Sequence, residues 1–269
     1  MNDISYDRGG IAMSSKLSII VPTFNEKGNI RPLIERLDKA LEHVDFDILF
    51  VDDSTDETPE LLAQVSAESD HVSYIHRDNE KGLATAVLLG FKKATGDYLA
   101  CMDADLQHPP EILLPMYVAM ENGADVCIPS RLIPGGSDGG LNLWRKFVSS
   151  TARNIGKCLL PCLRKISDPT SGLFMFRRQI IENADMRPIG WKIMIELLAT
   201  ATYSSIIQIP YTFCERQSGS SKIDGKVTLQ YLQQCFDLRK RYVKNKISVV
   251  NWTTEEMDAK TKSYVESAS

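Results

Sequence analysis

The chain has 269 residues, of which 43% are hydrophobic and 25% charged. That is enough apolar material for one large α/β domain, and it excludes a disordered chain, a collagen-like fibre and a disulfide-stapled miniprotein. A formal net charge of −4 gives no reason to expect nucleic acid as a partner.

Met1 to Gly10 is acidic and lacks an apolar segment, so residues 1–15 read as a loose tail rather than a signal peptide. Leu17 to Val21 is a β-branched run ending at Pro22, the pattern of a buried strand. Ile30, Leu33, Ile34, Leu37 and Leu41 follow at helical spacing. Phe46 to Val51 is a second strand, closed by the turn Asp52-Asp53-Ser54-Thr55-Asp56. Pro59 to Val65 reads as helix, Val72 to His76 as strand, Leu83 to Ala94 as helix and Tyr98 to Met102 as strand. Pro109 and Pro110 open a helix running to about Glu121, and Ala124 to Pro129 is a further strand.

Strand and helix thus alternate with short connections, which specifies a mostly parallel sheet with helices on both faces. Ligands of such sheets lie at the carboxyl ends of the strands. The unusual polar clusters fall at those ends: Thr23 to Glu26, Asp52-Asp53, and Asp103 to Gln107.

After residue 130 the rhythm changes. Pro134 to Gly140 is rich in glycine and reads as a flexible loop. Between Leu141 and Lys165 there are six basic residues (Arg145, Lys146, Arg153, Lys157, Arg164 and Lys165) and no acidic ones. Trp144, Phe147, Val148, Ile155, Leu159, Cys162 and Leu163 fall near one helical face. Such a segment suits either an anionic bilayer or ordinary packing with a solvated basic face. Lys226, Arg239, Lys240, Arg241, Lys244 and Lys246 add a second basic surface. No apolar run approaches the ~18 residues that cross a bilayer. The six cysteines include no C-x-x-C pair, which argues against structural zinc and for a reducing compartment. Cys158 and Cys162, four apart, read as small apolar residues on one helical face.

Asp103-Ala104-Asp105 at a strand end sets two carboxylates within reach of one hard cation, as in sites where magnesium or manganese bridges a diphosphate. Asp52-Asp53 ends another strand. A carboxylate there suits a ribose hydroxyl or a base edge, and Asp53, Ser54 or Thr55 also suits a helix N-cap. Arg216 to Lys222 carries two cations around a Gly/Ser centre and suits a diphosphate, or else a plain polar turn.

Six segments carry a family resemblance: V-P-T-F-N-E at 21–26, V-D-D-S-T-D-E-T at 51–58, K-G-L-A-T-A at 81–86, M-D-A-D-L-Q-H-P-P-E at 102–111, D-P-T-S-G at 168–172 and E-R-Q-S-G-S-S-K at 215–222. Over about residues 16–240 the chain resembles family 2 of the inverting glycosyltransferases, in its dolichol-phosphate mannose synthase branch. The resemblance implies a GT-A type nucleotide-sugar-binding fold over 16–225, with 141–165 facing acceptor or membrane and a C-terminal amphipathic helical extension and tail over 226–269. It implies transfer of a sugar, first mannose from GDP-mannose, from a nucleotide diphosphate to polyprenyl or dolichyl phosphate. It implies Pro22, Phe24, Glu26, Val51, Asp53, Lys81, Asp103, Ala104 and Arg131 against the nucleotide sugar. Asp103, Asp105 and Gln107 would hold Mg2+ or Mn2+; Asp105, Arg216 and Lys222 would serve catalysis, and Arg145 the acceptor phosphate.

The second turn is one residue shorter than the family pattern, Ala84 stands where glycine is common, and the loop before Lys81 is one residue short. The nucleotide base, and the choice between Asp52 and Asp53, therefore stay open. The hydrophobic C-terminal spans of some members have no counterpart. That leaves peripheral contact on the cytosolic face of a membrane, a small membrane-anchoring subunit, or a truncated chain. No Glu-Asp pair stands in the 160–200 region, where hydroxyl-acceptor relatives carry their base, and a phosphate acceptor needs none. The alternatives are a UDP-sugar donor such as UDP-glucose, a hydroxyl of a soluble glycan as acceptor, and a non-catalytic protein that binds nucleotide sugars.

Overall fold

The computed structural model describes residues 15–79, 81–140, 143–214 and 225–269. Its first half follows the expected alternation: β1 (Leu17–Thr23), α1 (Lys27–Ala40), β2 (Phe46–Asp52), α2 (Thr58–Glu68), β3 (Val72–His76), α3 (Leu83–Lys93), β4 (Tyr98–Cys101), α4 (Leu113–Glu121) and β5 (Val126–Ser130). The second half runs α5 (Leu143–Leu159), β6 (Phe174–Arg177), α6 (Ile193–Thr200), β7 (Ser205–Pro210), α7 (Gly225–Arg241), β8 (Ser248–Asn251) and α8 (Thr254–Ala268).

The strands form one sheet in the order β3-β2-β1-β4-β6-β5-β7-β8. All its pairings are parallel except those of β6, which runs antiparallel to both β4 and β5. The chain builds outward from β1 to β3, then returns to lay β4 on the other side of β1. This order reversal opens a crevice at the carboxyl ends of β1 and β4.

Side chains alternate across the sheet and feed two cores. Leu17, Ile19 and Val21 of β1, with Ile48 and Phe50 of β2, join one core with Leu33 and Leu37 of α1, Met116 of α4 and Trp252. Ile20, Leu49, Val51 and Leu99 point the other way, to Phe91 of α3, Leu197 of α6 and Leu238 of α7. Each of these large apolar side chains contributes about 1.5–3 kcal/mol by leaving water.

The C-terminal segment is helical at α7 and α8, as expected, but it also supplies β8, which pairs with β7 at the sheet edge. Thr253 and Glu256 form a reciprocal capping box that starts α8. Tyr264 of α8 then meets Tyr117 of α4 edge-on at 5.6 Å.

Three local expectations are corrected. Residues 134–140 are tied down rather than loose: Ser137 N–H donates to Tyr211 O and Phe213 N–H to Ser137 O. Gly139 has φ +63°, and a Cβ there would lie 1.9 Å from Phe213 O, so only glycine fits. Neither Asp53, Ser54 nor Thr55 caps a helix; α2 starts at Thr58, whose N–H is met by Asp56. Cys158 and Cys162 do not share a helical face, because α5 ends at Leu159; Cys158 is exposed and Cys162 buried.

Candidate functional site

The parallel register carries the polar clusters to one rim. Thr23 lies opposite Asp52, and Asp52 opposite His76, at the carboxyl ends of β1, β2 and β3. Backbone bonds continue past the strands: Asp53 N–H donates to Thr23 O at 3.0 Å, and Arg77 N–H to Asp52 O at 2.9 Å. Asn25, in the first rim loop, has φ 59°, a conformation asparagine tolerates. Its Oδ1 accepts from Thr55 N–H at 2.9 Å, which locks the first two loops together. Phe24 stands exposed beside it, and Glu26 accepts from the Asn29 amide at 2.6 Å. Pro22 and Val51 are buried within their strands.

The two adjacent aspartates have different surroundings. The Asp52 carboxylate is fully buried and accepts from Thr23 Oγ1, the Ser54 hydroxyl and N–H, and lies 2.7 Å from His76 Nδ1. Asp53 takes a bidentate bond from Arg77, at 2.7 and 2.6 Å, and a third from Gly82 N–H at 2.7 Å. Arg77 in turn donates to Thr85 Oγ1 and Gly82 O. This buried pair fixes the entry to α3 and sets Lys81, which is exposed, next to the rim. Asp52 therefore braces three strand ends, while Asp53 links the rim to the Lys81 loop.

Asp103 and Asp105 follow β4 directly. Ala104 and Asp105 are buried and Asp103 partly so. Gln107 N–H donates to Asp105 Oδ1 at 3.1 Å, and Gln107 O accepts from Cys214 N–H at 2.8 Å. Between them Leu106 is held at φ 60°, costly for a branched side chain and typical of strain kept at a working loop. Gly172 forms the far wall of this loop: a Cβ there would lie 2.7 Å from Asp103 Oδ2. Asp103, Asp105 and Gln107 on one short loop are residues that could hold a hard divalent cation, which would supply positive charge beside a phosphate.

Beyond Asp103, on the β6 and β5 side, the wall is cationic. Arg131 is ion-paired with Asp168 at 2.7 Å and lies over the Phe213 ring. Asp168 is fully buried and also accepts from Thr170 Oγ1. Lys192 donates to Thr170 O at 2.7 Å. His108 is buried against Tyr211 and Phe213, with Nδ1 3.1 Å from Tyr211 Oη. Burial, with the charge of Arg131 beside it, pushes its pKa down to about 3, so the imidazole is neutral near pH 7.

The structure thus brings together Pro22, Phe24, Glu26, Val51, Asp53, Lys81, Asp103, Ala104, Asp105, Gln107 and Arg131 around one crevice. Arg131 is already committed to Asp168. Arg216 and Lys222 lie outside the described residues, as does the Arg145 side chain on α5. Arg241, read as part of a basic surface, is an internal anchor instead: it bonds Asp237 and the buried Glu196. The expected apolar stripe of α5 is partly used up in packing, since Ile155 and Leu159 meet the second core and Ala152 O accepts from Tyr231 Oη. Sequence reasoning missed Arg77, His108 and Lys192. Arg77 was within reach, as a lone arginine directly after a strand that neighbours an Asp-Asp turn. Lys192 had no local signal, because it follows no strand and its partner Thr170 lies in an irregular turn.

Comparison with known proteins agrees with this geometry. Residues 18–184, over half of the chain, match the family described as Glycosyl transferase family 2. The chain is 42% identical to a dolichol-phosphate mannosyltransferase of Pyrococcus furiosus, over 84% of its own length and 64% of the relative's. It is 40% identical to a dolichol-phosphate mannosyltransferase of Saccharomyces cerevisiae, covering 84% and 88%. Against a polyprenol monophosphomannose synthase of Mycolicibacterium smegmatis the identity is 34%, covering 81% and 85%. Among solved structures, glucosyl-3-phosphoglycerate synthase from Mycobacterium tuberculosis, in complex with Mn2+, UDP and glucosyl-3-phosphoglycerate, superposes with a TM-score of 0.62 at 18% identity, covering 86% and 81%. That likeness bears out the GT-A type fold. With its sequence match, its sheet order and its rim carboxylates in agreement, this chain belongs to glycosyl transferase family 2.

Proposed function

We propose that the protein transfers a hexose from a nucleoside diphosphate to a polyprenyl or dolichyl phosphate with inversion, and that the donor is GDP-mannose. The names of the relatives point to this acceptor class and sugar. One observation carries the reading on the chain's own chemistry. Among the described residues the wall past Asp103 presents cations, and its buried carboxylates are engaged: Asp168 by Arg131, Glu196 by Arg241 and Gln234. Such a wall suits an anionic nucleophile, and its described buried carboxylates are held by other groups rather than placed as a general base.

The step balances without a base. A phosphate oxygen, already anionic because its second pKa is about 6, attacks the anomeric carbon. The bond from that carbon to the diphosphate oxygen breaks, and its electron pair leaves with the nucleoside diphosphate. The rim of β1 and β2, with Phe24, Glu26, Asp53 and Lys81, orients the nucleotide. Asp103, Asp105 and Gln107 would hold Mg2+ or Mn2+, which when bound supplies Lewis-acid stabilisation of the diphosphate. Arg216 and Lys222 are assigned on the resemblance to the charge of the leaving group; the chain enters their segment at Cys214, beside Gln107.

No helix among the described residues is long and apolar enough to cross a membrane. Among the described residues α7 offers a surface suited to a lipid face: Leu229 and Phe236, one heptad apart on one side, are 58% and 57% exposed, and Arg239 and Lys240 are exposed nearby. We infer peripheral binding at the cytosolic face through this surface, alone or with a small membrane-anchoring subunit.

A transfer assay tests the reading. Purified protein with manganese or magnesium receives labelled GDP-mannose or UDP-glucose, with polyprenyl phosphate in anionic vesicles or without it. Label is expected in the organic phase from GDP-mannose alone and only when the lipid is present. Label from UDP-glucose would replace the donor, and lipid-independent product in water would replace the acceptor. Binding of either nucleotide sugar without turnover would leave a non-catalytic protein.

A further inference from the structure

Lys192 precedes the first turn of α6 as its N-cap, and the steps above make no use of it. Its ammonium carries three donors. Among the described residues one of them meets Thr170 O at 2.7 Å, and no carboxylate lies within ion-pair distance. The buried carboxylate of the wall, Asp168, is held by Arg131 and the Thr170 hydroxyl. Burial lowers the Lys192 pKa; the fields of Asp168 and Asp103 oppose that shift and Arg131 adds to it. An ammonium partly buried with no ion-pair partner among the described residues is costly, and an anion brought by a ligand would offset that cost.

The location of Lys192 narrows the anion. The turn it grips, Asp168 to Gly172, ends against Asp103, where a Cβ at Gly172 would lie 2.7 Å from Asp103 Oδ2. In the sheet order, β4 with Asp103 stands between the nucleotide rim on β1 and β2 and the β6 and β5 side that carries this turn. Lys192 is therefore across Asp103 from the nucleotide. Displacement with inversion requires the nucleophile to approach from the side away from the leaving diphosphate.

We propose that Lys192 binds the acceptor phosphate. The inference rests on the functional reading above and deepens it by giving the nucleophile a residue. The ammonium fixes the phosphate on the far side of the sugar and favours its dianionic, reactive form.

The test is steady-state kinetics on the full chain with manganese and GDP-mannose, varying polyprenyl phosphate in detergent, for the unaltered protein, Lys192→Gln and Lys192→Arg. Glutamine keeps a donor toward Thr170 O while removing the charge. Nucleotide affinity is read separately, by titrating GDP with manganese, and folding by thermal melting. The expected result for Lys192→Gln is a rise of about ten- to hundredfold in the KM for polyprenyl phosphate, the size of a lost charge-assisted hydrogen bond. GDP affinity should hold within about twofold, and Lys192→Arg should recover part of the loss. An unchanged acceptor KM in a folded Lys192→Gln overturns the proposal. Weakened GDP binding with an unchanged acceptor KM moves Lys192 to the donor side and overturns it too. Should Lys192→Gln fail to fold, a Lys192→Arg variant with an unchanged acceptor KM and lowered GDP affinity would overturn it as well. Transfer by the unaltered protein to a soluble hydroxyl acceptor alone would defeat the functional reading itself, whatever Lys192 does.

Discussion

The two halves of the sheet build their parts of the crevice differently. On the β3-β2-β1-β4 side, consecutive strand ends meet in parallel register, and the rim is bonded between neighbours in the sheet: Asn25 to Thr55, Asp52 to Thr23 and His76, Asp53 to Arg77. On the β6-β5-β7-β8 side, residues of loops that do not sit on adjacent parallel strands are drawn together by burial and charge: Arg131 with Asp168, Lys192 with Thr170, His108 with Tyr211. The antiparallel β6, inserted between β4 and β5, is what brings the second set against Asp103. The comparison teaches that the Asp52-Asp53 rim follows from a strand-helix repeat, whereas the wall past Asp103 has to be assembled from segments that the repeat does not set side by side.

Changes on either side of Asp103 sharpen this contrast. The largest expected effect is on chemistry at the shared loop. Asp105→Asn keeps an oxygen for Gln107 N–H but removes the charge, and transfer should fall by about a thousandfold, the cost of losing an electrostatic stabiliser of the leaving group. Circular dichroism should show an unchanged fold, and near-normal turnover would remove Asp105 from the site.

Next is a stability effect confined to the nucleotide half. Arg77→Met strands the buried Asp53 carboxylate and should cost about 3 kcal/mol in urea denaturation. It should weaken nucleotide binding as well, since the Lys81 loop loses its anchor. A loss below half that size would mean that the rim is braced chiefly through Asp52.

A third effect lies in the wall past Asp103 and is spread over a range of pH. The His108 pKa is lowered to about 3 by burial, with Arg131 adding to it. The unfolded chain takes up a proton near pH 6.5 that the folded chain refuses until about pH 3. The stability associated with neutral His108 is therefore complete above pH 6.5 and is lost as pH falls from 6.5 toward 3, by at most about 1.4 kcal/mol per pH unit. In metal-free buffer, His108→Phe should flatten that part of the melting-temperature profile. An unchanged slope would show that carboxylates alone set it.

Much of this was legible in the chain because the signals are short-range. Leu17, Ile19 and Val21 against Ile20 mark a strand buried on both faces, and the carboxylates of Asp52, Asp53, Asp103 and Asp105 stand directly after apolar runs. Asp52 and Asp53 could not be told apart by position, since the difference between them is made by His76 and Arg77, a strand away. The glycines of Pro134 to Gly140 suggested mobility, yet Gly139 is there to let Phe213 O approach. Arg241 looked like surface charge because Glu196, its buried partner, is 45 residues distant.

Local apolar periodicity determined the α/β class, the succession of the first five strands along the chain and the placement of the nucleotide and metal candidates at strand ends. Those features depend on which residues neighbour one another along the chain. Only the tertiary structure decided the antiparallel insertion of β6, the joining of β8 to the sheet, and the wall made by Arg131, Asp168, His108 and Lys192. Each of these depends on which charges and hydrogen-bonding groups are removed from water together. That is a property of distant segments in contact, and no single stretch of sequence carries it.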